Sequence, residues 1–253
     1  MTEAVLVSVD NGVMVITINR PKAKNSINLA VATGIAEAMD ELDRNDDIRA
    51  AILCGAEGTF CSGMDLKAFV SGELPVIPGR GFAGVAEAPP RKPLIAAVAG
   101  YAVGGGCEFA MSCDIRIASE NAQFGCFEIR RGIPNPPEPL IRLIGLGPAL
   151  HMLLSGDLID AQEALRIGLV TKVVSARELI PTVEDLAARM GEYPTEVLVA
   201  TKKAAFVGRD MTTEQSHLYA RALSVPLRDS DISREGVTAF AERRKANYGE
   251  SAS

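Results

Sequence analysis

The sequence predicts an α/β fold that passes into an all-helical C-terminal region. β-branched apolar runs alternate with stretches of helical periodicity as far as residues 170–174, and from Ala176 onward the pattern is helical. The chain has 253 residues, of which 47% are hydrophobic and 23% charged, enough for one compact domain with a sizeable core.

Val5-Leu-Val-Ser-Val9 and Val13-Met-Val-Ile-Thr-Ile-Asn19 read as strands, and the Asn11-Gly12 pair between them is a strong hairpin signal. Residues 20–27 read as a loop. Residues 29–42 set Val31, Ile35, Ala38, Met39 and Leu42 at helical spacing, an amphipathic helix closed by the polar turn Asn45-Asp-Asp47 before a strand at 48–55. Residues 71–93 are rich in Gly and Pro. A connection of that length is expected to be functional or mobile, so a lid or pocket wall is expected, with a surface loop as the alternative. Leu94-Ile-Ala-Ala-Val-Ala99 reads as a buried strand, and residues 115–118, 123–125 and 170–174 as further ones. Four helices are expected over residues 179–190, 195–207, 213–227 and 232–246.

Two stretches carry chemical signals. Gly104-Gly-Gly106 stands between the strand at residue 99 and a helical run from Cys107 to Ser112. Three glycines weaken a helix interior, so they are expected before or at its start. There the first backbone N–H groups lack intrahelical partners and carry the positive end of the helix dipole. Glu108 then falls in the first turn. Ahead of it, Ser62-x-x-Asp65 has capping-box spacing with Asp in place of Glu. With Ser62 as N-cap, the N–H of Met64 becomes an orphan donor. Two backbone donors, Met64 and Gly105, are thus expected at helix starts, and two donors converging on one oxygen make an oxyanion hole.

The Ser62-Gly-Met-Asp-Leu-Lys67 and Gly100-Tyr-Ala-Val-Gly-Gly-Gly-Cys-Glu108 segments resemble the two signature segments of the crotonase family, the enoyl-CoA hydratases and isomerases. The resemblance runs from about residue 5 to residue 248. It implies a ββα spiral core over residues 1–193, holding the CoA and catalytic sites. Residues 194–253 would then be a helical region for oligomerisation and for closing the CoA site. The implied activity is that of an enoyl-CoA hydratase in fatty acid or lipid metabolism. A family isomerase, a hydroxyacyl-CoA dehydratase and a non-catalytic acyl-CoA-binding homologue stand as alternatives. Glu108 and Glu128 match the family's two catalytic glutamates, Glu108 activating water and Glu128 delivering a proton to the α-carbon. The N–H groups of Met64 and Gly105 match the oxyanion hole.

For the substrate, the resemblance implies contacts from Lys22, Ala23 and Asn25 in the adenine loop, and from Asp65, Leu66, Lys67 and Gly104. Phe240 and Arg243 match a tail helix that often comes from a neighbouring subunit, so a homo-oligomer, a trimer or dimer of trimers, is expected. Coenzyme A is part of the substrate, and no redox cofactor or metal is implied. Asp114 reads as structural. After Glu128 the chain departs from the family pattern: Ile133-Pro-Asn-Pro-Pro-Glu-Pro139 stands where hydratases carry a Gly-rich turn, and Phe127 replaces the usual proline. Pro136, Pro137 and Pro139 offer no N–H. Arg130 and Arg131 are placed to lower the pKa of Glu128 or to meet a charged acyl group.

Composition narrows the partners. A net charge of -6 argues against nucleic acid or an anionic membrane. The five cysteines lack metal-type spacing and read as reduced thiols of a cytoplasmic protein. With only His151 and His217, no metal site is expected. The N-terminal stretch enters strand-like sequence directly, without a basic segment followed by an apolar one. No apolar run of ~18 residues occurs, so no transmembrane helix is expected.

Overall fold

In the computed structural model, which describes residues 3–248, the chain begins with a hairpin of β1 (Val5–Asp10) and β2 (Val13–Ile18). Asn11 and Gly12 take positive φ values of 48° and 77°, the turn that matches the right-handed twist of the strands. Helix α1 (Leu29–Arg44) follows, capped by the Asn28 side chain, which accepts from the Val31 N–H. Next come β3 (Ala50–Gly55), the short α2 (Leu66–Val70), and a small hairpin of β4 (Val76–Ile77) and β5 (Gly81–Phe82). The glycine-rich centre supplies β6 (Leu94–Val98), β7 (Tyr101–Val103) and α3 (Gly105–Met111). Then follow β8 (Ile115–Ser119), β9 (Gln123–Gly125), a 3-10 turn at Glu128–Arg131, α4 (Glu138–Ile144) and α5 (Leu146–Ser155). The segment β10 (Ile159–Asp160), α6 (Ala161–Arg166) and β11 (Lys172–Val174) leads to α7 (Leu179–Gly191). The chain closes with α8 (Thr195–Gly208), α9 (Thr213–Arg228) and α10 (Asp231–Ala241).

The main sheet has the order β1-β2-β3-β6-β8-β11, antiparallel only in the first hairpin. A second sheet, β10-β9-β7, is extended by a bridge between Cys61 and Ala102. The repeated unit is therefore a strand of the large sheet, a strand of the small one, then a helix: β3, Cys61, α2; β6, β7, α3; β8, β9, α4. The central strands read as unbroken apolar runs because both faces are covered. Ala50, Ile52, Cys54, Ile95 and Ala97 face Leu179, Val183 and Ala187 of α7, while Ala51, Leu53, Leu94, Ala96 and Val98 join Ile35, Met39 and Leu42 of α1. The two-residue period of a strand produces this division.

The Gly- and Pro-rich segment at 71–93 is ordered by the small hairpin and by buried Ala83 and Val85, and it brings Phe82 inward. Helix α8 is tied to the sheet by Lys202, which pairs at 2.7 Å with Asp114 and donates to the Lys92 carbonyl. Asp114 also accepts the Leu94 N–H. It holds a strand end and pairs with a lysine, a structural role. Among the described residues no helix is long and apolar enough to cross a membrane.

Candidate active site

One cavity of about 210 Å³ lies where the small sheet meets the start of α3. Four stretches of chain wall it: the loop from Ser62 to Leu66, Phe82 of β5, the turn from Gly104 to Glu108, and residues 127–136.

The loop from Ser62 to Leu66 and the turn from Gly104 to Glu108 touch through their backbones. Gly63 takes φ +90°, and a Cβ there would stand 2.8 Å from the Val103 carbonyl oxygen and 3.0 Å from the Gly105 nitrogen. A Cβ on Gly106 would meet the Cys61 carbonyl oxygen at 2.2 Å. These glycines let two chain segments close on each other where any side chain would force them apart. Gly104 is the N-cap of α3, and its own N–H donates to the Gly125 carbonyl. Gly105, the first helical residue, has no intrahelical acceptor for its N–H. A Cβ on Gly105 would lie 3.5 Å from the Met64 nitrogen. Among the described residues, neither the Met64 N–H nor the Gly105 N–H has an acceptor.

The reason for the Met64 donor differs from the expected one. Ser62 does not cap a helix; its hydroxyl donates to the Ala23 carbonyl at 3.4 Å. Asp65 is the N-cap of α2, its carboxylate accepting from the Lys67 and Ala68 N–H groups. Met64 instead bridges in parallel to Ile27: the Ile27 N–H goes to the Gly63 carbonyl and the Asp65 N–H to the Ile27 carbonyl. Pairing of that kind leaves the N–H of the bridged residue itself on the opposite side.

Two carboxylates stand in the same cavity. Burial pushes the Glu108 carboxyl up to about 7, and the neighbouring Glu128 and Glu87 carboxylates add to it. Glu128 is also raised, chiefly by burial, with Asn135 and Arg131 opposing. Its Oε2 is buried and has no hydrogen-bond partner among the described residues. A Cβ on Gly104 would sit 3.5 Å from Glu128 Oε1, so this carboxylate faces the helix start. Two acids in one cavity, both with their pKa raised by burial, can pass protons to and from one small molecule. Among the described residues no group of three His, Cys, Asp or Glu side chains could hold a metal ion.

The enoyl-CoA hydratase/isomerase family profile matches residues 8–251. The chain is 38% identical to the (E)-benzylidenesuccinyl-CoA hydratase of Thauera aromatica, covering 95% of this chain and 96% of that one. It is 36% identical to a short-chain-enoyl-CoA hydratase of Clostridium acetobutylicum, over 95% of each. It superposes on the crystal structure of an enoyl-CoA hydratase from Mycobacterium tuberculosis with a TM-score of 0.94 at 39% identity, over 97% and 98% of the two chains. The chain belongs to the enoyl-CoA hydratase/isomerase family.

With the crotonase fold established, the remaining residues singled out in the sequence separate into four groups. Met64, Leu66, Gly104, Gly105, Glu108 and Glu128 line one cavity. Lys22 and Ala23 lie instead on a surface hollow with Asn19, Arg20 and Pro21, and Lys67 is exposed on α2. Asn25 and Asp65 are committed inside the protein. Asn25 is fully buried, accepting from the Arg20 N–H and donating to the Ala56 and Thr59 carbonyls. Asp65 pairs with Arg20 at 2.8 Å. Burial pushes the Asp65 carboxyl up, but the Arg20 bond and the capped N–H groups outweigh it and leave the carboxyl lowered. Both therefore shape the loop around residues 20–27 rather than presenting polar atoms to a ligand. Phe240 is 86% exposed and Arg243 follows α10; neither lines the cavity of its own chain.

Sequence reasoning did not single out Phe82, and it marked Ile133, Pro134 and Asn135 only as part of the departure from the family pattern; all four line the cavity. Phe82 sits in a stretch without periodicity, and only its ring contact with Gly105, 2.5 Å from a Cβ built there, reveals it. Arg130 stacks over the Phe127 ring at 4.7 Å and faces Asp157, which steadies that aromatic wall from outside.

Proposed function

We propose that the chain is an enoyl-CoA hydratase adding water across the 2,3 double bond of an enoyl-CoA thioester. The observation that carries this reading is the pair of unpartnered N–H groups, Met64 and Gly105, opening onto the cavity that holds Glu108 and Glu128. The hydratase names of the relatives support it. The thioester oxygen accepts from both N–H groups, an oxyanion hole. Glu108 takes a proton from water as the water oxygen bonds C3. The π electrons move to the thioester as an enolate, and Glu128 gives its proton to C2. One O–H bond of water breaks, one C–O and one C–H bond form, and a proton returning from Glu108 to Glu128 restores the pair. Each donor of such a hole is worth ~10²–10³ in rate, and each acid or base ~10²–10⁴. No metal or redox cofactor enters these steps.

Coenzyme A would lie along Lys22, Ala23 and the loop held by Asn25 and Asp65, with Lys67 near its phosphates. Phe240 and Arg243 would close the site of an adjacent subunit in a trimer or dimer of trimers. The exposed apolar residues Leu218, Val237 and Phe240 on the C-terminal helices support that assembly, and sedimentation at micromolar concentration tests it. Five free, buried cysteines fit a reducing cytoplasm.

Product analysis with a short panel of enoyl-CoA thioesters tests the activity. Glu108→Gln and Glu128→Gln should each lower kcat by ~10²–10⁴. If Glu108 is the base it must be ionised, so the wild-type rate should rise as pH passes about 7. A rate that falls there makes Glu108 the acid instead. Isomerisation is the second reading, because Pro134 and Pro136 line the cavity and offer no N–H to a water. Exchange of α-protons without hydration would select it.

A further inference from the structure

The cavity contains one cation that the chemistry above does not use. Among the described residues Arg131 is the only basic side chain that lines it. The adjacent Arg130 is engaged outside, stacked on Phe127 and 3.7 Å from Asp157. Arg131 has no carboxylate within ion-pair distance among the described residues, although Glu128 is three positions away. Its one hydrogen bond goes from Nη1 to the Phe127 carbonyl at 3.2 Å. A guanidinium carries five N–H donors in a planar fork, so most of this one is unspent.

Placement makes the site specific. Glu128–Arg131 is a 3-10 turn, in which residues three apart project from the same face, about 6 Å apart along the axis. Arg131 therefore starts one turn beyond Glu128, and its exposed guanidinium turns back to the Phe127 carbonyl at the rim of the cavity, where the part of an acyl group past the reacting carbons would run. The same wall of the cavity carries Phe127, Ile133, Pro134 and Pro136, which give no polar side chain, and Asn135, whose neutral amide does not balance the charge of a guanidinium. A plain alkyl chain laid against them would strip water from the guanidinium and return nothing. A carboxylate would meet it in a two-pronged, charge-assisted pair. Burial also holds Glu108 and Glu128 toward their neutral forms, which reduces repulsion of an incoming anion.

We infer that Arg131 is a specificity residue selecting acyl-CoA substrates whose acyl group carries a free carboxylate beyond the double bond. This rests on reading the cavity as the acyl site. The test compares glutaconyl-CoA with 2-pentenoyl-CoA, similar in length and differing in the terminal carboxylate, by kcat/KM on the wild type, Arg131→Gln and Arg131→Lys. In parallel, the saturated glutaryl-CoA and pentanoyl-CoA are titrated for binding. The wild type should favour the carboxylated member of each pair by about 10–100-fold. Arg131→Gln should collapse that ratio to near one and Arg131→Lys should keep part of it. A wild-type ratio near one, or an equal loss on both substrates in Arg131→Gln, overturns the inference. The wild-type ratios decide alone if the variants do not fold. Hydration of both enoyl compounds without preference would leave the hydratase reading standing and remove this one. A carboxylate preference in binding without hydration would do the reverse, and no binding of any of the four would remove both.

Discussion

Replacing Glu108 by glutamine should make the protein more stable at alkaline pH and not at acidic pH. Burial carries this carboxyl from an ordinary 4.5 to about 7, which corresponds to about 3 kcal/mol of preference for the protonated form in the folded chain. Because the folded-state value is raised, the folded state binds more protons than the unfolded one between the two values, and stability falls as pH rises through them. That contribution is fully present below the unfolded value and lost above about 7. Glutamine does not ionise and keeps the shape. Thermal unfolding at one protein concentration, at about pH 5 and about pH 8, should therefore show the variant gaining on the wild type by up to about 3 kcal/mol. For a chain of this size that is about 6–12 °C in Tm. Glu128, also raised, adds a slope of the same sign that both proteins share. Equal Tm differences at the two pH values would mean that the Glu108 carboxyl is fully solvated, and the argument from cavity burial would fail.

Two further outcomes follow from buried groups away from the reacting atoms. Lys202→Met should strand the Asp114 carboxylate, whose Oδ1 already lacks a partner, and cost about 3–5 kcal/mol, read as a Tm fall of about 10 °C. Asp114→Asn combined with it should recover part of the loss, and a fall below about 2 °C for the single variant would show the pair to be dispensable. All five cysteines are buried, and burial pushes the Cys61 and Cys113 thiols up to about 12. A thiol reagent should therefore leave the native protein unmodified within minutes and label five groups in denaturant; rapid native labelling would contradict the packing.

The large sheet and the C-terminal helices were legible in the sequence because each is a local pattern. Residues 50–55 and 94–98 are apolar at every position since both faces are covered, and α1 and α7 to α9 show their helical period over three or more turns. The signature around Glu108 was legible for a similar reason: glycines must stand where two backbones touch. Three things needed the tertiary structure. Asp65, not Ser62, caps α2, because Met64 is drawn into a bridge with Ile27, 37 positions earlier, and a long-range pairing overrides a local capping pattern. Asn25 and Asp65 became supports of a loop, because a polar side chain shows in sequence what it can bond but not which partner reaches it first. Phe82 and Arg131 became cavity walls only when segments without periodicity were brought against α3. The sequence by itself determined which atoms were available for proton transfer and oxygen binding. Only the folded chain decided how they are desolvated and what stands opposite them, because burial and proximity belong to groups far apart in sequence and close in space.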